Sequence, residues 1–217
     1  MTKALIAISL VFCLVAVSCS NGTPTTKFVA PTTTINTNKA ANIPSNFLTY
    51  IDPAKYFSIS YPPDWEVFPD SMSFIPWNKD FFKSYAAGAV LRGSLFIFGV
   101  SSTDSAGDIN LVIQPLSEMK IRGWETLESI VQGRILETRT KEDNFYEYSR
   151  DYAVIGDKEG IVVMWGSTVS GVNSRCIQMF TIADELVWKL TCYISTSKYD
   201  QGKADINATI RSLRILK

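Results

Sequence analysis

The chain predicts an α+β domain with helices packed on an antiparallel β-sheet. Three observations carry that expectation. Strand-length runs recur from Phe57 onward, one segment near Thr126 has helical spacing, and four strand-like runs then follow at hairpin distance before a closing helical segment.

Phe57–Tyr61 alternates apolar and polar residues, the period-two mark of a half-buried strand, and Pro62 and Pro63 stop it. Asp64–Phe68 resumes extended chain, and Pro69–Ser71 reads as a turn. Phe74–Tyr85 is rich in aromatics, and Pro76 argues against one continuous element there. Ser94–Val100 is a continuous apolar run and reads as a central strand covered on both faces. Ser101–Asp108 is a polar loop, and Ile109–Gln114 is a strand closed by Pro115.

The helix predicted over Thr126–Thr138 has Thr126 as its cap and Glu128 in its first turn. Leu127, Ile130, Val131 and Ile135 form its apolar stripe. Gly133 costs that helix about 1 kcal/mol relative to Ala. The four runs that follow are Asn144–Ile155, Gly160–Ser170, Arg175–Ile182 and Leu186–Ser195. The last two are joined by Ala183–Asp184–Glu185. Centring that hairpin on Asp184 pairs Phe180 with Trp188, Gln178 with Leu190 and Cys176 with Cys192. Asp200–Ser212 then reads as the closing helix.

Ahead of this domain lie two segments of different character. Lys3 precedes 14 almost wholly apolar residues, Ala4–Val17, which is the layout of a secretory signal and short for a membrane span. Leu14–Cys19 ends in Ser18 and Cys19 and resembles the lipobox of bacterial lipoprotein precursors, with Ala16 departing from the usual Leu. That resemblance implies a signal over residues 1–18, a diacylglycerol on the Cys19 thiol, and attachment to the cell membrane on its extracytoplasmic side. Residues 19–46 comprise this cysteine and a Thr/Pro/Asn-rich tether. Its few large apolar side chains cannot offset the entropy of ordering, so it is expected to be disordered, with an end-to-end distance of roughly 28 Å. Residues 47–217 make the globular domain, long enough to bury a core.

Composition excludes several functions. Lysine and arginine total 21, as do aspartate and glutamate, and loss of Lys3 with a leader leaves a net charge of about −1. The basic residues are dispersed, so no footprint for nucleic acid is present. Histidine is absent, which removes Ser–His–Asp and Cys–His catalysis and the commonest metal ligand. Ser117 and Lys120 offer only a chance Ser–Lys spacing. Glu142 with Asp143, and Asp184 with Glu185, fall in connections where carboxylates are solvated. Asp104, Ser105, Gly107 and Asp108 read as an ordinary polar loop. No catalytic residue, metal site or cofactor is expected.

Cys176 and Cys192 are expected to form a cross-strand disulfide, the hairpin register placing them opposite in an exported domain. Trp65, Trp77, Trp124, Trp165 and Trp188 mostly belong to the core. Phe74, Trp77, Phe81 and Phe82 are the candidate exposed binding patch, since their segment follows neither period.

Tyr50–Asp52 leading into Tyr56–Glu66, with its Pro-Pro-Asp-Trp step, resembles the opening of PsbP-like domains. The helix opening Thr126–Glu128 and the ending Ile210–Ile215 are similar to the same family. The resemblance implies the PsbP/Mog1-type fold, an antiparallel β-sheet flanked by helices as an α-β-α sandwich. It transfers no metal chemistry, because the histidine that serves in photosystem members has no counterpart here. Together these readings lead to a membrane-tethered lipoprotein whose PsbP-like domain is a non-catalytic binding or assembly module. Its expected partners are the membrane through Cys19 and an envelope protein or small ligand. The alternatives are an envelope hydrolase using carboxylates, or a carrier of a small apolar molecule.

Overall fold

The computed structural model describes residues 43–67, 95–102, 107–169 and 171–216. Within them the strands are β1 (Leu48–Ile51), β2 (Phe57–Tyr61), β3 (Trp65–Val67), β4 (Leu95–Ser102) and β5 (Gly107–Pro115). After helices α1 (Leu116–Ile121) and α2 (Leu127–Arg139) come β6 (Asp143–Ile155), β7 (Lys158–Val169), β8 (Val172–Ala183) and β9 (Leu186–Ser195). Helix α3 (Tyr199–Ser212) and β10 (Arg214–Ile215) complete the order. The signal, the tether up to residue 42 and the Phe74–Phe82 patch lie outside the described residues.

A seven-stranded antiparallel sheet runs β3-β4-β5-β9-β8-β7-β6, and a separate three-stranded sheet runs β1-β2-β10. Strand β4 is flanked on both sides but sits next to the edge rather than at the centre. Alternation on β7, β8 and β9 sends apolar side chains to both faces. On one face Ile161, Val163, Trp165, Cys176, Phe180 and Val187 pack under α1 and α2. On the other, Phe98, Leu111, Ile177, Met179, Trp188 and Leu190 meet Phe57, Ile59 and Tyr61 of the small sheet, with Ile206 and Ile210 of α3. The expected flanking by helices therefore holds in part. One layer is helical, and the opposite layer is mostly a second sheet with a single helix beside it.

The Thr126 cap forms as its sequence requires: its hydroxyl accepts from Ser129 N–H and the Ser129 hydroxyl accepts in return from Thr126 N–H. Helix α1 was not foreseen; its six residues are too few to show a period. It carries Ser117 and Lys120 one turn apart, with Lys120 exposed to solvent.

The β8–β9 hairpin departs from expectation by one residue. Ala183 pairs with Leu186, so the turn is Asp184–Glu185 alone, with φ of 52° and 58°. A two-residue hairpin with both residues left-handed is the turn that matches strand twist, although it normally selects Asn-Gly. Because side chains alternate, a one-residue slip exchanges faces. Cys176 pairs with Tyr193 and Ile177 with Cys192, leaving the two cysteines on opposite faces. Both are buried free thiols, and the expected disulfide is absent.

The small sheet joins the two ends of the described chain. Asp52 closes the β1–β2 connection: its Oδ2 accepts from Tyr56 N–H at 3.1 Å, and burial pushes its carboxyl above the usual range. At the other end the Ser212 hydroxyl accepts from Ser60 N–H at 2.7 Å and faces the Thr209 carbonyl at 2.6 Å. It continues along β2 the pairing that β10 begins at Ser58. Ser212→Ala is expected to lower stability by about 1–2 kcal/mol, because the buried Ser60 N–H loses its acceptor. A fall in the urea midpoint without a change in slope checks this; an unchanged midpoint refutes it.

Candidate functional site

Helix α3 packs on β2 and β9, while β7 and β6 lie two and three strands outboard of β9. Their inward face is only partly roofed, and a cavity of about 240 Å³ remains between α3 and β6–β8. Val162, Met164, Ile177 and Met179 form its floor, Ala153 and Ile155 one wall, and Tyr199 and Ile210 the roof. Polar groups enter from opposite sides, with Ser149 and Asp151 on β6 and Asn207 and Arg211 on successive turns of α3. An engineered cavity of about 150 Å³ takes up benzene, so this space holds a body of about ten non-hydrogen atoms. Two methionines let the floor adapt to what occupies it.

One end of the roof is built from a stack. Arg175, on the same face of β8 as Ile177 and Met179, carries its guanidinium 4.4 Å from the Tyr148 ring centre and 4.6 Å from that of Tyr199. Tyr148 sits at a β6 bulge between Glu147 and Ser149. Gly166, the register partner of Arg175 on β7, lets that ring lie down, since a Cβ there would stand 2.8 Å from the Tyr148 hydroxyl. The Tyr199 hydroxyl in turn donates to the Met164 sulfur at 3.3 Å. Arg175 Nε is buried without an acceptor.

The opposite face of the sheet holds polar groups with structural work. Glu142, expected to be solvated, instead accepts from Trp165 Nε1 at 3.3 Å and Tyr193 Oη at 3.2 Å, tying the segment before β6 to β7 and β9. Burial pushes the Tyr193 phenol and both cysteine thiols well up, so none of the three is a nucleophile at neutral pH. Burial, reinforced by Arg134, lowers the Lys189 amine.

Of the other candidates, Asp184 and Glu185 are exposed turn residues. Asp108 accepts from Asn110, and Gly107 N–H bonds the Ser102 hydroxyl at 3.0 Å. No group of three acidic or cysteine side chains suited to a metal exists among the described residues. Trp165 and Trp188 are fully buried and Trp65 nearly so, whereas Trp124 lies over Gly133 of α2. Cys19 and the Phe74, Trp77, Phe81 and Phe82 patch are outside the described residues. The cavity itself matches no motif. The Ile177–Met179 step of β8, which lines it, is an ordinary alternating strand face.

No family model and no curated protein sequence matches the chain. Among solved structures it is similar to LpqN of Mycobacterium tuberculosis, described as involved in cell envelope biogenesis. Identity is 12%, with 79% of this chain and 92% of LpqN covered, at a TM-score of 0.50. It is also similar to the cyanobacterial PsbP of Synechocystis sp. PCC 6803, at 8% identity, 78% and 92% coverage and a TM-score of 0.48. For Mog1 the values are 7%, 79%, 97% and 0.43. The PsbP and Mog1 scores carry no further weight, and the LpqN likeness, at so low an identity, shows a shared fold alone.

Proposed function

We propose that the chain is a membrane-tethered extracytoplasmic lipoprotein whose PsbP-like domain is a non-catalytic binding module. Its ligand is a small, largely apolar molecule held between α3 and the β6–β8 sheet face. The cavity carries this reading: about 240 Å³, floored by methionine and branched aliphatic side chains, with a few convergent polar groups at its walls. A hydrolase reading finds less support, because Asp151 has no second carboxylate beside it among the described lining residues. The lipobox and stalk motivate the tether. Intact mass of the membrane-extracted chain tests it: cleavage before Cys19 plus a diacylglycerol supports the anchor, and an unmodified chain refutes it.

Ligand binding is tested with the neutral, environment-sensitive fluorophore 1-naphthylamine, whose two fused rings match the cavity in size. The purified chain is expected to enhance its fluorescence with micromolar affinity. Ala153→Phe, which fills the cavity from β6, is expected to weaken binding at least 10-fold with little change in the unfolding midpoint. Absence of dye binding, or equal binding by the filled variant, overturns the cavity reading.

A further inference from the structure

We infer that the cavity selects single-chain anionic amphiphiles, an apolar chain lying on the methionine floor and a carboxylate or phosphate head on Arg175. The inference rests on the cavity reading above and goes beyond it in naming the ligand's charge.

The geometry of Arg175 is that of a prepared anion receptor. The guanidinium carbon lies over the rings of both Tyr148 and Tyr199, which fixes its position while its N–H groups remain for a ligand. Those groups have no acceptor supplied by the described residues. Nε is buried and unpartnered. The nearby acid, Asp200, feels the arginine's charge but is bonded to Lys203 at 2.9 Å. A guanidinium nitrogen buried without an acceptor is costly, and an anion at the half-exposed guanidinium supplies charge-assisted hydrogen bonds that no described residue gives.

Position agrees with chemistry. Arg175 and Ile177 are alternate residues on one strand face, about 7 Å apart along β8. Ile177 and Tyr199 both line the cavity, and Tyr199 also closes the stack. A chain seated on Met164, Met179 and Ile177 therefore runs toward the guanidinium. Arg211, on the roof, adds positive potential across from Asp151 on β6. The volume admits one short chain and not two, which excludes an intact two-chain lipid.

Displacement of 1-naphthylamine by decanoate and by decanol at pH 8 tests the inference, because the two share a chain and differ in charge. Decanoate is expected to displace the dye at roughly 10-fold lower concentration than decanol. Arg175→Gln is expected to bring decanoate to the level of decanol, with decanol losing several-fold less than decanoate. Arg175→Lys, which keeps the charge but not the planar stack, is expected to fall between. Equal displacement by the two ligands in the unsubstituted chain overturns the inference and leaves the cavity reading standing. So does an equal loss of both ligands on Arg175→Gln. Failure of both ligands in a chain that binds no dye overturns both readings.

Discussion

Replacing Phe57 by alanine is expected to cost about 3–5 kcal/mol, a large share of the 5–15 kcal/mol that holds a typical domain folded. Phe57 is 1% exposed and is the point where the small sheet enters the large one. Its ring centre lies 5.7 Å from Tyr50, 6.1 Å from Phe98 and 6.2 Å from Trp188, the last two edge-on. Truncation removes the ring from three aromatic contacts and leaves a cavity between two sheets that cannot collapse separately. Phe57→Leu retains most of the volume and is expected to cost less than about 1.5 kcal/mol. Urea unfolding of the two variants checks the argument. Equal losses would mean that the ring's own contacts, and not the apolar volume that leucine keeps, carry the whole effect.

Gly133→Ala is expected to destabilise by about 2–3 kcal/mol, against the direction that helix propensity dictates. In an isolated helix the change gains about 1 kcal/mol. Here an added Cβ would stand 2.2 Å from Trp124 Cε2 and 2.3 Å from Cζ2, inside van der Waals contact. The indole cannot move away freely. Arg122 and Arg134 lie over it at 5.4 and 5.5 Å, and both arginines pair with Glu137. Arg134 also bonds Gln114. The overpacking cost therefore exceeds the propensity gain. The decisive measurement is a double-mutant cycle: in a Trp124→Ala background the same Gly133→Ala change is expected to become stabilising. A loss that persists in that background would place the strain elsewhere.

Gly133 illustrates what the chain discloses before it is folded. The helix around it was legible from the Thr126 cap and the stripe through Ile135, and β6 to β9 were legible from alternation. The reason for the glycine was not, because Trp124 approaches it from outside the helix. The β8–β9 register was missed because Asp184 and Glu185 lack the composition of a left-handed turn. Ten strand pairs impose that turn on them, and the missed residue cost the cysteine pairing. The small sheet was hidden for another reason: β10 has two residues and β1 four, too short for any period. The ending Ile210–Ile215 rests on the Ser212 link to Ser60 and the burial of Leu213. The cavity was least legible, since it arises from where α3 stops covering the sheet and from no motif.

The Ser60–Ser212 link also sets an order of events. It spans 152 residues of sequence, whereas β6 to β9 are joined by short turns. Closing a loop of that length costs roughly 4 kcal/mol of chain entropy, repaid only once both ends are in place. The β6–β9 meander is therefore the portion able to assemble from near neighbours, and the small sheet is the last to close and the first to open. Helix α3 is continuous with that late-closing end and roofs the cavity. For the ligand proposed above, partial opening of the Ser60–Ser212 link is the expected route in and out, and a ligand that binds only the closed form lowers the open population.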